Sequence, residues 1–482
     1  MPCSRSLIVA ALCLFALANT SAQKASGNLR TDLLIDDLRE LVETPAVSGY
    51  EQELAARITT RVKAVAPNSA VKTDGMANLT VTLGTGSPHR LLVAPMDEPG
   101  FVVSGFNPEG YLRVQRLPQT GTLPLFNELY SAQPVKVRAG TKWIDGAVAG
   151  LSIHLQPQVQ HPPSMADLDN VYVDIGATTA VQAHASGADF LSPMAIDRTF
   201  FAMGFGNWTA PAIGDRFGAA ALIELLRRVD PAKLKGTVTV AFVAQQWLGA
   251  RGVQRLLYQN KPDEVIYIGR LIRPAPPAPG AAATQGPRET PSFRHAPGSG
   301  VLIASEKPEA DLAGLGAELQ KLAAQNDIAV KTDFSAAFLP RGGYVPTPPL
   351  PDRTVHLAVA TAWPSTPAEV IDGNDVAHLV TLLENYLQGS AQKVEVAEAK
   401  PLPEPVPPAK PAVAPTPEAI LKQLIETYGV SGGHEGNVAK MVAQLLPSWA
   451  KTEVDDAGNV ILHWQGCAKQ QEPQRCGSRA HG

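Results

Sequence analysis

Apolar and polar positions along the first part of the chain predict two helices, a hairpin and a buried strand. Apolar residues recur at helical spacing across residues 29–65, with a break at the turn-forming stretch 44–49. Alternation across residues 71–83, with Asp74-Gly75 between its halves, is typical of a β-hairpin. The short apolar run Leu91–Ala94 favours a strand buried inside a parallel sheet.

The pattern changes between residues 100 and 207, where short alternating stretches separated by glycine, proline and asparagine predict a β-rich insertion. Beyond it, predicted helices and strands take turns: a helix over 217–229, strands over 238–243 and 265–268 with a helix between them, a helix over 312–324, a strand over 355–361 and a helix over 375–387. Strands that alternate with helices indicate an α/β fold in which helices cover both faces of a mostly parallel mixed sheet.

The first 22 residues have the organisation of a secretory signal peptide. Arg5 provides a positive charge, Leu7–Leu17 an apolar core and Thr20-Ser21-Ala22 a small-residue cleavage site. The apolar run is short for a bilayer, which favours cleavage over the alternative of a retained membrane anchor. We therefore expect an exported protein, periplasmic or extracellular, that has no membrane contact after cleavage.

A proline-rich stretch near the C-terminus precedes a partial repeat of the beginning of the chain. Residues 401–417 contain eight prolines, a composition typical of an extended spacer. Residues 424–446 then resemble 41–58, and residues 451–466 resemble 71–84. This correspondence favours a truncated second copy over the alternative, a short accessory helix pair with a hairpin.

The 482 residues are enough for about three domains. The predicted parts are a signal peptide at 1–22, a discontinuous α/β domain at 23–99 and 208–395, an inserted β domain at 100–207, a proline-rich linker at 396–417 and a truncated repeat at 418–482. The large α/β part is the place where a functional cleft is expected.

Composition and charge exclude several functions. The 41 basic and 45 acidic residues give a formal charge of −4, which argues against a basic face for nucleic acid. The four cysteines, Cys3, Cys13, Cys467 and Cys476, all lie near a terminus. The body of the chain therefore has no thiolate nucleophile, no cysteine-based zinc site and no disulfide framework.

Seven landmarks occur in order: VETPAVSGYE, APMDEPGF, VDIGATT, APAIGDRFG, VAQQWLGARG, VIYIGR and ATAWPSTPAEVIDGNDV. The series, from about Leu33 to Leu387, resembles the M42 family of metallo-aminopeptidases, relatives of the glutamyl aminopeptidases and of proteins once labelled endoglucanase M. The resemblance implies an α/β peptidase domain with an inserted small β-barrel-like dimerisation domain. It also implies large homo-oligomers, often tetrahedral dodecamers, and two divalent metals, zinc or cobalt, that activate a water.

The same resemblance identifies six family-equivalent positions in this sequence. The five metal-ligand positions and the general-base position hold, respectively, Pro95, Gly214, Trp247, Gly269, Ser365 and Gln246. None of the first five is a credible zinc ligand, because zinc prefers thiolate, imidazole or carboxylate. A glutamine cannot accept and return a proton near neutral pH. We therefore predict that no metal ligand and no catalytic base is intact, and that no metal cofactor is bound.

Other motif residues still match the family and are predicted to be scaffold: Asp97, Asp215, Arg216, Gly249, Arg251 and Gly252. We expect Asp97, which in the family orients a metal ligand, to accept hydrogen bonds from backbone donors or to pair with Arg216. We expect Trp247 to fill the volume that the metals occupy in relatives, since a void there would be destabilising.

The remaining histidines and carboxylates give no alternative site. His154, His356 and His378 are predicted to be structural or surface residues, and His434 is not a ligand by position. The carboxylates at family landmarks are Glu98, Asp333 and Glu369. The sequence places no pair of them well enough to propose the carboxylate dyad of a glycosidase.

Two classes of function stay open at this point. One is an exported, catalytically inactive M42 protein: a scaffold, a regulatory subunit or a peptide-binding module that forms homo-oligomers through its inserted β domain. The other is an active metal-dependent aminopeptidase that hydrolyses N-terminal residues of peptides through a non-standard or second-unit site. Whether the chain is an enzyme is therefore the question that the structure must address.

Overall fold

The computed structural model describes residues 31–117, 124–150, 167–272, 295–307, 312–340, 347–394, 416–427, 429, 435–447, 449–455 and 459–463. The chain divides into two units, Met1–Leu402 and Pro403–Gly482. Each unit is described separately below. His154, His434, the four cysteines, the predicted signal peptide and most of the linker lie outside the described residues.

The helices alternate with strands along the first unit, as the sequence pattern predicts. They are α1 (Thr31–Glu43), α2 (Gln52–Val65), α3 (Ala180–Ala185), α4 (Ile213–Arg228), α5 (Arg251–Asn260), α6 (Gly314–Gln325) and α7 (Gly373–Gln388) in the first unit, and α8 (Pro417–Glu426) and α9 (Glu435–Leu445) in the second. Among these described helices none is both long enough and apolar enough to cross a membrane.

The strands of the first unit form one large sheet, one small sheet and a barrel. They are β1 (Val71–Thr73), β2 (Leu79–Thr85), β3 (His89–Pro95), β4 (Phe101–Phe106), β5 (Leu112–Arg116), β6 (Pro134–Ala139), β7 (Lys142–Ala149), β8 (Tyr172–Asp174), β9 (Pro193–Ile196), β10 (Phe201–Ala202), β11 (Asn207–Ala210), β12 (Gly236–Val243), β13 (Glu264–Ile268), β14 (Val301–Ser305), β15 (Val330–Phe334), β16 (Arg353–Val359) and β17 (Glu369–Asp372). The hairpin β18 (Lys451–Val454) and β19 (Val460–His463) belongs to the second unit.

The large sheet has the order β1-β2-β12-β3-β13-β16-β14-β15. Its four central strands, β12, β3, β13 and β16, are parallel, whereas β2 and β14 run antiparallel to their neighbours β12 and β16. The carboxyl ends of the central strands therefore lie along one edge, where ligands bind in open α/β sheets. The α/β fold with a mixed sheet is confirmed.

The β-rich insertion closes into a six-stranded barrel in the order β4-β5-β8-β7-β6-β9. It has its own buried core, which includes Phe101, Val103, Val137 and Met194. The barrel-like insertion predicted by the resemblance is therefore confirmed, while the domain boundaries, 100–207 for the insertion, stay predictions. β10 and β11 follow the barrel and pair with β17 in a separate three-stranded sheet.

Helix α4 lies at the centre of the main core. Fourteen consecutive residues, from Ile213 through Leu226, are buried, because α4 packs against β3 and helices α1, α2 and α7. Small residues such as Ala219 and Ala220 allow this close packing, which large side chains on every face would prevent. The helix thereby fixes Gly214 and Asp215, in its first turn, against the edge of the sheet.

The second unit repeats the turn geometry of the first. In the first unit Asp74 accepts hydrogen bonds from the backbone and side-chain nitrogens of Asn78 at 3.1 and 2.9 Å. In the second unit Asp455 accepts the same two bonds from Asn459, both at 2.8 Å. The strand register also agrees, because the residues that flank each turn pair in the same way. The structure thus supports the internal correspondence seen in the sequence.

The two copies differ in how far their apolar residues are covered. Leu38 and Val42 on α1 are fully buried in the main core. Their sequence counterparts on α8, Leu421 and Ile425, are 58% and 74% exposed. The described residues of the second unit therefore have the local structure of the repeated segment, while these two apolar side chains are exposed rather than packed in a core.

The sequence prediction missed the strands β14, β15 and β17 of the first unit and most of β11. Each has only four or five residues, and β15 and β17 alternate poorly between buried and exposed positions. The predicted helices and the other predicted strands of this unit are present, with ends that shift by a few residues. Sheet pairing rather than local pattern stabilises the missed strands.

Candidate functional site

The structure brings the six family-equivalent positions to the carboxyl edge of the central strands. Pro95 ends β3, Gln246 and Trp247 follow β12, and Gly269 follows β13. The last two, Gly214 and Ser365, lie at the start of α4 and in the loop before β17. Two small cavities at this edge are lined by residues from all of these elements. The edge is therefore the candidate functional site.

A buried arginine that follows β13 occupies the centre of this site. Arg270 donates from Nε and Nη2 to the two carboxylate oxygens of Asp215, at 2.7 and 2.8 Å. It also donates to Glu369 at 2.8 Å and to the hydroxyl of Ser365 at 3.2 Å. All three charged side chains are buried. A guanidinium thus bridges two carboxylates where a sequence comparison places the metal ligands.

The charges of this cluster are compatible with an ion pair at neutral pH. Burial, offset in part by Arg270, raises the pKa of the Asp215 carboxyl to about 6. Although burial alone would lower it, the pKa of Arg270 is raised by Asp215 and Glu369. The guanidinium is therefore a permanent cation between two acceptors, and its bidentate geometry is the one that arginine favours with carboxylates.

Two glycines make room for this arrangement. A Cβ atom added to Gly214 would lie 3.1 Å from both Arg270 Nη2 and Glu369 Oε2. A Cβ atom added to Gly269 would lie 3.0 Å from the Tyr267 ring and hydroxyl. Both distances are tighter than ordinary van der Waals contact. Arg270 and Glu369 therefore occupy the space beside Gly214, and Tyr267 occupies the space beside Gly269.

Trp247 packs against the same cluster and fills only part of the space at this edge of the sheet. Its indole Nε1 donates to Asp215 at 3.3 Å, and Arg270 lies 5.7 Å from the centre of its ring. Trp247 is only half-buried, whereas Arg270 is buried. The volume that we expected Trp247 to fill is therefore shared with Arg270, and the ring packs over the guanidinium in a cation–π contact.

Asp97 lies beneath this cluster and accepts backbone hydrogen bonds. Its carboxylate accepts from the backbone nitrogens of Gln246 at 2.8 Å and Trp247 at 2.9 Å, and it contacts the Ser48 hydroxyl at 2.5 Å. Of the two alternatives predicted for Asp97, the backbone donors are the ones that bind it. Arg216 instead contacts Glu98, at 3.3 Å. Asp97 therefore fixes the turn that carries Gln246 and Trp247.

The Asp97 carboxyl is expected to make the protein less stable as pH rises from about 4 to about 7. Burial, with a smaller effect from the nearby Glu51 carboxylate, raises the pKa of Asp97 from 3.8 to about 7. Its contribution to stability is complete below the unfolded pKa and is lost as pH rises through 7, because the folded state holds the proton longer. The free energy of unfolding should therefore fall between about pH 4 and 7, as measured by urea denaturation.

Asp97→Asn removes this titration and is expected to make the pH dependence shallower over that window. A constant loss of stability is also expected, because an amide nitrogen would face the backbone N–H of Gln246 or Trp247. The contrary result is an Asp97→Asn protein whose stability falls with pH as steeply as that of the parent. Asp375, whose pKa burial raises to about 7, stays unchanged in both proteins.

The residues at this edge do not fit the two metals that the resemblance implies. Among the described residues, no group of three or more histidine, cysteine, aspartate or glutamate side chains is close enough to hold a metal ion. The two carboxylates nearest the six positions, Asp215 and Glu369, already bind the Arg270 guanidinium. A divalent cation would have to displace that guanidinium from a buried pair.

His356, His378 and Asp333 lie on elements of the main domain and do not line the two small cavities. His356 is buried in β16, where its Nε2 lies 3.1 Å from the Gly269 carbonyl and burial lowers its pKa to about 4. His378 lies on α7, away from the six positions. Asp333 is buried in β15. None of these three belongs to the residues that line the two small cavities.

The motif residues Gly249, Arg251 and Gly252 lie at the start of α5. Gly249 has a φ of +86°, a left-handed conformation that glycine adopts without strain. A Cβ atom at Gly252 would lie 2.3 Å from the Ala244 carbonyl oxygen, so only glycine fits there. Arg251 is the first residue of α5 and is exposed. These motif residues shape the turn after β12. Of the three, only Gly249 lines one of the two cavities.

Sequence reasoning missed the residues that define the site. The motif VIYIGR contains Arg270 but does not indicate its role, and no sequence signal identifies Tyr267 or Phe338, which line the cavity beside Gln246. One signal was available for Arg270. Two acidic residues kept beside lost metal ligands need a replacement cation, and an arginine next to the Gly269 position could supply it.

Comparison with protein families gives a match over more than half of the chain. Residues 77–382 match the family described as M42 glutamyl aminopeptidase. The chain is 25% identical over 368 residues to the putative aminopeptidase FrvX of Escherichia coli, which covers 75% of this chain and 97% of that protein. It is 26% identical over 230 residues to lysyl aminopeptidase of Pyrococcus furiosus, covering 47% and 63% of the two chains.

Solved structures share the fold. The TET1 peptidase of Pyrococcus horikoshii, which can assemble into a tetrahedron or a large octahedral shell, matches with a TM-score of 0.60 and 24% identity. That match covers 73% of this chain and 99% of the other. An endoglucanase of Thermotoga maritima matches with a TM-score of 0.54 and 19% identity, covering 73% and 96%. At these identities the structures establish a common fold.

Proposed function

The chain belongs to the M42 family of glutamyl aminopeptidases, and from that premise we propose that it is a member that binds peptides without hydrolysing them. The observation that carries this proposal is the buried Arg270 guanidinium between Asp215 and Glu369. In this family's reaction two divalent metals supply the activated water. Here a side chain of the protein itself supplies the positive charge, and it cannot activate water as a Lewis acid does.

Three further features support the proposal. Gln246 stands at the position of the general base and has no proton to exchange near neutral pH. The Tyr267 ring occupies the space that a side chain at position 269 would need, and Arg270 occupies the space that a side chain at position 214 would need. The scaffold around them is intact, with a fully buried core and a closed barrel. A chain that keeps its fold while its reactive groups are replaced is suited to binding or assembly.

The second candidate function is an active metal-dependent aminopeptidase. It is favoured by the relatives, which are named as aminopeptidases. It requires either that a divalent cation displaces Arg270 or that hydrolysis takes place elsewhere in the chain. This alternative makes a distinct prediction about metal content, so one experiment separates the two functions.

We expect the purified full-length chain to contain no stoichiometric divalent metal and to show no turnover. Metal content is measured by mass spectrometry after purification without chelator. Hydrolysis of amino-acid p-nitroanilides is then measured with zinc or cobalt added, beside an M42 aminopeptidase with intact ligands. Two metals per chain together with chelator-sensitive turnover would reject the proposal. A Gln246→Met variant purified in parallel identifies contaminating host peptidases, since their activity is the same in both preparations.

We further propose that the chain is exported and forms homo-oligomers. Export is supported by the composition of residues 1–22. Homo-oligomers are supported by the TET1 peptidase, whose fold this chain shares and which forms closed shells. We place the interface in the inserted barrel because the resemblance assigns dimerisation to that domain. An assembly built through the barrel does not depend on the metal ligands, so it is compatible with a cleft that no longer hydrolyses.

A further inference from the structure

A cavity of about 90 Å³ lies beside the Arg270 cluster. Aromatic side chains form much of its wall: the rings of Tyr267 and Phe338 are stacked with centroids 4.4 Å apart, and Trp247 lies at another side. Pro95 and Pro340 add further apolar surface. The cavity is therefore a rigid, mostly apolar space next to the position of the family's general base.

Gln246 lines this cavity, and its side chain has one buried acceptor and a fixed orientation. Its backbone nitrogen donates to Asp97 at 2.8 Å, and its side-chain Nε2 donates to the Phe338 carbonyl at 2.9 Å. Because Nε2 is the donor to a carbonyl, the other amide atom must be the oxygen. That oxygen, Oε1, is buried and has no hydrogen-bond partner among the described residues. A buried acceptor without a partner is costly, which points to a ligand that donates.

The charged groups that line the cavity exclude ionic ligands. Asp215 and Arg270 both line it, but they neutralise one another in a bidentate pair. Four N–H groups of Arg270 already donate to Asp215, Glu369 and Ser365, so an anionic ligand would have to compete with two carboxylates that neutralise the guanidinium. A cationic ligand would face the guanidinium itself. The cavity therefore favours a neutral molecule.

We propose that this cavity binds a small neutral carboxamide, whose N–H donates to Gln246 Oε1 while its apolar end packs against Tyr267, Phe338 and Trp247. This inference deepens the proposed function, since it rests on a metal-free cleft and names the group that the cleft recognises. The amide can be a free small molecule or the side chain of asparagine or glutamine in a peptide. Their shared chemistry is a planar amide with a donor and a short apolar stem.

The size of the cavity limits the ligand. A protein cavity of about 150 Å³ accommodates benzene, which has six heavy atoms. A space of about 90 Å³ is therefore suited to a molecule of about five heavy atoms. Propionamide has this size, and two molecules of nearly equal shape lack its donor. Butanone replaces the amide nitrogen by a methyl group, and propionate replaces it by a charged oxygen.

The test measures binding of these three probes to the metal-free, full-length protein by saturation-transfer difference NMR. We expect propionamide to bind at least about tenfold more tightly than butanone or propionate, the effect of one hydrogen bond to a buried acceptor. Gln246→Met, which keeps the shape and removes the acceptor, should abolish that preference. Gln245→Met is the matched control: it removes a neighbouring buried acceptor that does not line the cavity, and should leave binding unchanged.

Each outcome decides the proposal. Equal binding of propionamide and butanone by the parent protein overturns it, and this comparison needs no variant. A propionamide preference that survives Gln246→Met, or that disappears in Gln245→Met, also overturns it. If only water occupies the cavity, no probe binds and the proposal fails. Asparagine and glutamine peptides, tested against alanine peptides, distinguish a peptide source from a free amide. Metal-dependent hydrolysis would reject the proposed function without altering these binding ratios.

Discussion

Arg270→Ala is expected to lower the free energy of unfolding by about 3–5 kcal/mol. The substitution leaves Asp215 and Glu369 facing each other in a buried site with no cation between them. Both carboxylates then lose their strongest charged donor, while the backbone nitrogen of Gly214 and the Trp247 indole stay as their partners. Urea denaturation at pH 7, followed by circular dichroism, measures the change.

The matched control is Arg255→Ala, which breaks an ion pair on the protein surface. Arg255 Nε lies 3.0 Å from Asp74, a distance similar to the 2.7 Å between Arg270 Nε and Asp215. The Arg255 side chain is 41% exposed, and pairs of this kind contribute at most about 1 kcal/mol. If Arg270→Ala costs no more than Arg255→Ala, the buried cluster does not stabilise the site and the central observation behind the proposed function is lost. Acidification should partly restore Arg270→Ala, because protonation removes the repulsion between the two carboxyls.

Glu98→Ala is expected to have the second large effect, again about 3–5 kcal/mol in the free energy of unfolding. Glu98 follows β3 and forms an ion pair with Arg198, which follows the last barrel strand. It also contacts Arg216 on α4 at 3.3 Å and accepts from the backbone nitrogen of Ala46 at 2.9 Å. Arg198 and Arg216 together lower the pKa of Glu98 against the effect of its burial. The variant would bury two guanidinium groups without their carboxylate.

Thermal and urea unfolding of Glu98→Ala should be compared with Glu318→Ala. Glu318 is half-exposed and pairs with Arg353 at 2.7 Å, so its loss is expected to cost less than about 1 kcal/mol. Similar stabilities of the two variants would contradict a structural role for Glu98. A large loss would show that Glu98 stabilises the junction between the barrel and the main sheet.

Local sequence pattern was sufficient for most of the fold. The apolar spacing of residues 217–229 identifies α4, and the run Leu91–Ala94 identifies the centre of β3, because both elements are buried and the pattern reflects burial directly. The strands β14 and β15 were not predicted. They are five residues each and pair mainly with one another and with β16, so their stability comes from neighbours that are distant in sequence.

For the candidate site, the sequence predicts which residues stand at the six positions but not which side chains contact one another. The side chains at the six family-equivalent positions could be read from motif resemblance. The buried ion-pair cluster could not, because Arg270 contacts Asp215 and Glu369 only when β13, α4 and the loop before β17 bring them together. Phe338, which orients Gln246 through its carbonyl, lies 92 residues away in the chain and has no motif of its own.

The close approach of Arg270 to Gly214 also limits which substitutions the site tolerates. Placing a carboxylate at position 214 puts its Cβ 3.1 Å from Arg270 and Glu369, and placing one at position 269 crowds Tyr267. Removing Arg270 first would uncover two buried acids. Each single substitution toward a metal centre is therefore expected to be destabilising, so a metal site engineered at this edge requires several simultaneous changes.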